Sequence, residues 1–270
     1  MNARKMPAER VPSPGWPVTL RSEWRKLVAL RGVLLGVGAI LAVAVVVGLF
    51  MATVSDPADV EVADGQSQYS AVFFSSGLTI WAYAFLAATF LAIEFQGAGE
   101  STFVATARRG RVLVSKLVLI GIGGLVVGLL TSALSLASIQ SVLTARGLQT
   151  LDLSDPAVIR ALLVLVPVSM AVQGLLAASF AVLVRSAALA VVVTGLISIL
   201  PVRIAPILGE TYSATVPRWL PGAAVESLAG VAEPGSYGYL AMPLAALCVL
   251  AWLAMASTAA GWRLPRTDIR

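Results

Sequence analysis

Long apolar runs alternate with short polar links from residue 33 onwards. Val33 to Thr53 carries no charge, and neither do Ala71 to Ile93, Leu117 to Leu143 or Ala161 to Val184. A fifth run, Ser186 to Leu208, is clean as far as Leu200, after which Pro201 and Arg203 interrupt it. A sixth, Gly238 to Ala260, holds Pro243 near its start. A helix that crosses a bilayer needs roughly 20 apolar residues, and each run reaches that length. The runs are apolar all round, unlike an amphipathic surface helix. The pattern predicts an all-α, polytopic membrane protein. Its six transmembrane helices fall at about 33–53, 71–93, 117–143, 161–184, 186–208 and 238–260, together one transmembrane domain over 33–260. The first run is longer than a signal-peptide core and follows a long polar lead, so it reads as a retained span.

The sequence before the first span divides in two. Residues 1–18 hold Pro7, Pro12, Pro14 and Pro17 and read as a flexible cytoplasmic N-terminus. Residues 19–32 read "TLRSEWRKLVALRG". Leu20, Trp24, Leu27 and Val28 fall on one helical face, while Arg21, Arg25 and Lys26 lie off it and Arg31 stands near the end. Thr19 or Ser22 can cap the start. A helix lying in the headgroup plane, with Trp at the interface and basic groups on lipid phosphates, fits this pattern.

Composition agrees with the membrane reading. The chain is 58% hydrophobic and 12% charged, with a mean hydropathy of +0.89, whereas soluble domains carry about 25% charged residues. It has no histidine, which removes the commonest general base and metal ligand. Its one cysteine, Cys248, sits inside the sixth run, so neither a disulfide framework nor a cysteine metal site is available. No GxxxxGK[ST] occurs, so the sequence offers no P-loop nucleotide site. The chain is expected not to be an enzyme and to carry no cofactor of its own; any ATP and Mg would belong to a partner. Ionisable groups inside a membrane mark proton and ion paths, and the runs hold only Arg203, near one end, which disfavours ion-driven transport. Gln140, Gln173, Thr131, Ser132, Ser135, Ser138, Ser169, Thr194 and Ser198 are the mild polar groups inside. They read as helix–helix hydrogen bonds, with a weakly polar substrate path as the alternative.

Arginine and lysine orient the spans. With six spans, both termini share one side with residues 94–116 and the link at Arg185. That side, with residues 1–32 and the tail at 261–270, holds 15 of the 19 basic residues; the other loops hold Arg146, Arg160, Arg203 and Arg218. Positive residues stay cytoplasmic, so both termini are expected inside and Asp56, Asp59, Glu61 and Asp64 outside. The net charge of +5 is then a matter of topology and lipid, and no nucleic-acid partner is expected. The excess of Ala, Val, Gly and Arg suggests a GC-rich bacterial genome, hence a bacterial cytoplasmic membrane.

The segment 94–119, "EFQGAGESTFVATARRGRVLVSKLVL", is the most charged stretch between two apolar runs. Together with "RSEWRKL" leading into six spans, and Glu94 at the inner end of the second, its "TARRGRVLVSK" resembles the permease subunit of type-2 ABC exporters. The chain departs from that pattern at Gly99-Glu100-Ser101, where Gly-Thr is usual, and at Ala107, where Pro is common. The resemblance implies a short coupling helix over 94–116 that docks on a cytoplasmic ABC ATPase. Phe103 or Val104 would pack against it, and Arg108, Arg109 and Arg111 would meet its carboxylates or lipid phosphates. Glu94 or Glu100 would take part, with Glu94 pairing one of the arginines or Lys116. The bland alternative is that these basic groups merely hold the loop inside. In the last outer loop, "PRWLPGAAVESLAG" (217–230), the resemblance implies a re-entrant pair of short helices opened at Pro221, with Trp219 and Glu226 on different faces. The alternative there is an interfacial loop anchored by Trp219.

Gly32/Gly36 and Gly124/Gly128 are GxxxG pairs, a weak signal for a second permease copy. The expected function is therefore one half of a dimeric, ATP-driven exporter, with a homodimer ahead of a heterodimer and an amphipathic or lipophilic cargo. A non-transporting assembly or immunity protein and a secondary carrier stand as alternatives.

Overall fold

The computed structural model describes residues 15–55, 65–93, 109–207, 209–230, 232, 234–236 and 238–263, with the side chains of the second long helix described from Ser76 onwards. All regular structure among these residues is helical. Helix α1 (Trp16–Ala29) is followed after one extended residue, Leu30, by α2 (Arg31–Val54), then α3 (Gly65–Ala92) and the long α4 (Arg109–Ala145). Next come α5 (Pro156–Arg160), a π-turn (Ala161–Leu165), α6 (Val166–Val184), α7 (Ala187–Ser198) and α8 (Leu200–Ile204). Short helices α9 (Glu210–Thr215) and α10 (Pro221–Leu228) precede the last long helix, α11 (Met242–Arg263).

Among the described residues, four helices are long and apolar enough to cross a membrane: Arg31–Val54, Gly110–Ala145, Val158–Val184 and Met242–Arg263. They correspond to the first, third, fourth and sixth expected spans. The other two apolar segments, Ser76–Ala92 and Ala187–Val202, are shorter. Ser76–Ala92 is the part of α3 whose side chains are described, and α3 as a whole runs 28 residues, whereas Ala187–Val202 reaches roughly 24 Å at 1.5 Å per residue, against roughly 30 Å of hydrocarbon. Large apolar side chains point away from the protein along α2 (Leu34, Leu35, Val46, Phe50) and α11 (Leu247, Leu250, Trp262). A surface that apolar suits lipid rather than water.

Helix α6 is buried on nearly every side and packs on α3, α4, α7 and α11. Small residues make this possible. A Cβ on Gly124 would lie 2.6 Å from the Ala171 Cα, and one on Gly128 would lie 2.5 Å from the Pro167 Cα. Gly124 and Gly128 therefore bring α4 onto α6 within one chain and do not serve as a dimer seam. Gly36 faces Leu86 of α3, and only Gly32 of the two expected pairs has open space around it. Pro167 cannot donate a backbone hydrogen bond and crowds the preceding turn. The π-turn just before it, closed by the Val166 N–H to the Ala161 carbonyl, widens the helix there.

Several boundaries move. Helix α1 begins at Trp16 rather than Thr19, because Pro17 fits the first turn of a helix, where its missing N–H is not needed. It stops at Ala29, short of Gly32. Among the described residues α4 runs from Arg109, so Arg109, Arg111 and Lys116 are helical. The fifth run breaks at Ile199, ahead of Pro201, and ends in a 3-10 turn at Ala205–Ile207. The link between α6 and α7 is Arg185, with a left-handed φ of 56°, and Ser186, whose hydroxyl accepts the Leu189 N–H at 3.3 Å.

Candidate functional site

Two places gather polar groups in this apolar protein. The first lies where α1 meets the starts of α2 and α4. Glu23 projects from α1 and is only 2% exposed. Its Oε1 accepts from Lys26 Nζ at 2.6 Å, and its Oε2 lies 3.3 Å from Lys116 Nζ on α4. Lys116 is itself buried and sits 3.8 Å above the centroid of the Phe90 ring of α3. One carboxylate thus binds two ammonium groups, and the second ammonium also rests on an aromatic face, an arrangement that is strong when desolvated. Three helices, α1, α3 and α4, meet at that charge.

This geometry divides the apolar stripe of α1 between the protein and its surroundings. Leu20 and Leu27 are half-buried against the bundle, whereas Trp24 and Val28 point outward beside the exposed Arg21 and Arg25. Lys26 was expected on lipid phosphates and instead binds Glu23. The helix buries an acidic residue because Lys116 awaits it. Of the expected coupling residues, Glu94, Glu100, Phe103 and Arg108 lie outside the described residues. Arg109 opens α4, Arg111 is half-buried and already engaged, and Lys116 pairs with Glu23.

The second place lies at the other end of the bundle. A cavity of about 460 Å³ is bounded by α3, α6, α7, α8 and α10, with Trp81, Ser169, Gln173, Ser198, Val202 and Glu226 in its wall. Gln173 accepts a hydrogen bond from the Ser198 hydroxyl at 2.9 Å. Gly222 permits the approach of α10, since a Cβ there would meet the Ser198 carbonyl oxygen at 2.1 Å. Pro221 opens α10, as the sequence predicts, and is buried; Glu226, on the same helix, is half-buried. Trp219 ends a 3-10 turn with half its surface exposed. Its carbonyl accepts from Trp252 Nε1 at 2.8 Å and from Cys248 Sγ at 3.0 Å, which pins the 210–220 segment to α11.

Most interior hydroxyls do not cross between helices. Ser132 and Thr194 donate to carbonyls one turn back on their own helices, the usual local bond for these residues. Gln140 clamps the following loop, exchanging two bonds with Leu151. Ser198 to Gln173, and Ser135 to the Ala44 carbonyl at 3.5 Å, are interhelical. Sequence reasoning missed Glu23. Its signal was an acid three residues before Lys26 on a helix otherwise lacking acids, with an isolated lysine, Lys116, at the edge of an apolar run.

Fold and sites together define an all-helical protein with several helices suited to a membrane. No family model, curated protein or solved structure matches the chain.

Proposed function

We propose that the chain is the permease subunit of an ATP-driven exporter, half of a dimer in a bacterial cytoplasmic membrane. On this reading α3 and α7–α8 complete a set of six spans, both termini are cytoplasmic, and α9–α10 form a re-entrant pair at the outer side. Cytoplasmic ABC ATPase subunits bind and hydrolyse ATP with Mg; this chain holds no nucleotide. The observation that carries the reading is the buried Lys116–Glu23 pair. Segment 94–108 leads straight into α4, and α4 is tied through that pair to the helix at the membrane surface. A push delivered to 94–108 moves α1 and α4 together instead of bending a loop. The scarcity of charge among the apolar helices further supports transport driven by a partner's ATP rather than by an ion gradient.

The test is copurification of a cytoplasmic ABC ATPase with wild type, with Arg108→Ala/Arg109→Ala, and with the matching double Lys variant. Losing a partly desolvated Arg–carboxylate contact is worth on the order of 2–5 kcal/mol, so the double Ala variant should lose most of its partner. The double Lys variant keeps the charge that sets topology but loses the planar fork, and should fall between. A correctly inserted double Ala variant that retains all of its ATPase and full cargo-stimulated hydrolysis would overturn the reading.

A further inference from the structure

We infer that the cavity walled by α3, α6, α7, α8 and α10 binds a neutral, lipophilic molecule through a hydrogen-bond-accepting oxygen, held by the Gln173 amide N–H groups. Gln173 is 4% exposed. Its Oε1 is occupied by the Ser198 hydroxyl, which sets the direction of the amide. Its Nε2 makes no hydrogen bond among the described residues, although it belongs to the cavity wall. An amide N–H in the wall of a largely apolar cavity can donate to an oxygen on a bound molecule, the kind of placed polar group that orients a ligand in a small-molecule site. Ser169 lies one turn earlier on the same face of α6, is 7% exposed, and its hydroxyl likewise makes no hydrogen bond among the described residues. Two polar groups therefore converge on one side of the cavity.

The remaining wall is apolar. Leu78, Ile80, Trp81, Ile199 and Val202 offer alkyl and aromatic surface, and Gly77 and Ala223 take little room. A volume of about 460 Å³ falls in the range of small-molecule sites, which combine an apolar lining with a few placed polar groups. The ligand is neutral on the same grounds. Gln173 offers donors, so a cation without an acceptor oxygen gains nothing there. Glu226 is engaged within the protein, and its carboxyl opposes an anion. This inference deepens the permease reading by naming the class of cargo.

Benzophenone is a suitable probe: neutral, apolar, with one carbonyl acceptor, and able to insert into C–H bonds on irradiation. Radiolabelled benzophenone is applied to the purified full-length chain without any ATPase, and adducts are mapped by mass spectrometry. Saturable labelling of Leu78, Ile199 or Val202 is expected. Diphenylmethane, which has the same rings and no oxygen, should displace it at least about fivefold less well than unlabelled benzophenone. Gln173→Leu should raise the half-saturating concentration by a similar factor. Val202→Trp, which fills the space and leaves Gln173 intact, should abolish saturable labelling and serves if the first variant does not fold. Labelling that rises linearly and spreads to lipid-facing residues such as Leu247, equal displacement by diphenylmethane, or unchanged labelling of a folded Gln173→Leu would each overturn the inference. Because no ATPase is present, that outcome is separate from failure of the copurification test.

Discussion

The two ends of the bundle handle basic side chains in different ways. At the α1 end, Lys116 is buried and meets a carboxylate, Glu23, with Phe90 beneath it. At the α10 end, Arg146 and Arg160 meet backbone carbonyls. Arg146 Nη1 donates to the carbonyls of Ala52, Thr53 and Ser55 at 2.7, 3.2 and 3.1 Å, at the C-terminus of α2. Arg160 Nη1 reaches the Gly230 carbonyl at 3.3 Å, just past α10. A helix C-terminus carries orphan carbonyls and partial negative charge, so an arginine there acts as a cap. The carbonyl arrangement degrades gradually, because water replaces an exposed guanidinium. The buried pair is the more sensitive, because losing Glu23 takes a carboxylate away from an ammonium in a nearly dry site.

The largest effect should follow from Glu23→Gln. Lys116 would keep its charge in a nearly dry site, and breaking a buried pair from one side costs about 3–5 kcal/mol. Thermal unfolding in detergent should shift down sharply, and limited trypsin should cut after Arg21 or Arg25 as α1 detaches. Adding Lys116→Met should recover much of the loss, since neither charge then remains buried. If Glu23→Gln alone is neutral, the pair is not what joins α1 to α4.

A smaller effect is expected at the opposite end. Arg146→Met removes three bonds to carbonyls, but the side chain is solvent-exposed, so the loss should be about 1 kcal/mol. Arg146→Lys should recover part of it. Hydrogen exchange in the last turn of α2 is the direct readout, and protection lost at Ala52–Ser55 with the α1 end unchanged would sharpen the contrast.

The smallest effect concerns pH. The Ser154 hydroxyl and backbone N–H both donate to Asp152 at 2.7 and 2.8 Å and hold its carboxyl below the ordinary carboxylate range. A folded-state pKa below the unfolded value contributes stability that is present above the unfolded pKa and lost as pH falls through the folded one. Asp152 is fully exposed, so only a slight drop in melting temperature is expected on going from pH 5 into the acid range. Ser154→Ala should lessen that drop. A strong acid transition unaffected by Ser154→Ala would place the sensitive carboxylate elsewhere.

Much of the fold was legible because apolar run length is a local property. Four expected spans coincide with helices that reach membrane length among the described residues, and the fifth breaks at Ile199, two residues before Pro201, which the sequence marks as its weak point. Pro221 likewise opens α10 as expected. The polar sites were less legible. Gly124 and Gly128 read as a possible dimer seam, yet they seat α4 on Ala171 and Pro167 of α6. A small residue signals close approach without naming the partner. Glu23 was passed over because attention went to the apolar stripe of Leu20, Trp24, Leu27 and Val28 and to the basic residues beside it; its partner, Lys116, is far away in sequence.

The sequence by itself determined that the chain is helical, apolar enough for a membrane, and without histidine or a P-loop. Those features depend on composition and on runs of neighbouring residues. Only the tertiary structure decided that α6 lies at the centre, that Glu23 and Lys116 meet across 93 residues of chain, and that Gln173 and Ser198 join in the wall of a cavity. Helices apolar all round carry little periodic signal about which face turns inward. Their rotation is settled by a few close contacts, such as Gly128 on Pro167 and Gly222 on the Ser198 carbonyl, and by the need of each buried charge for a partner.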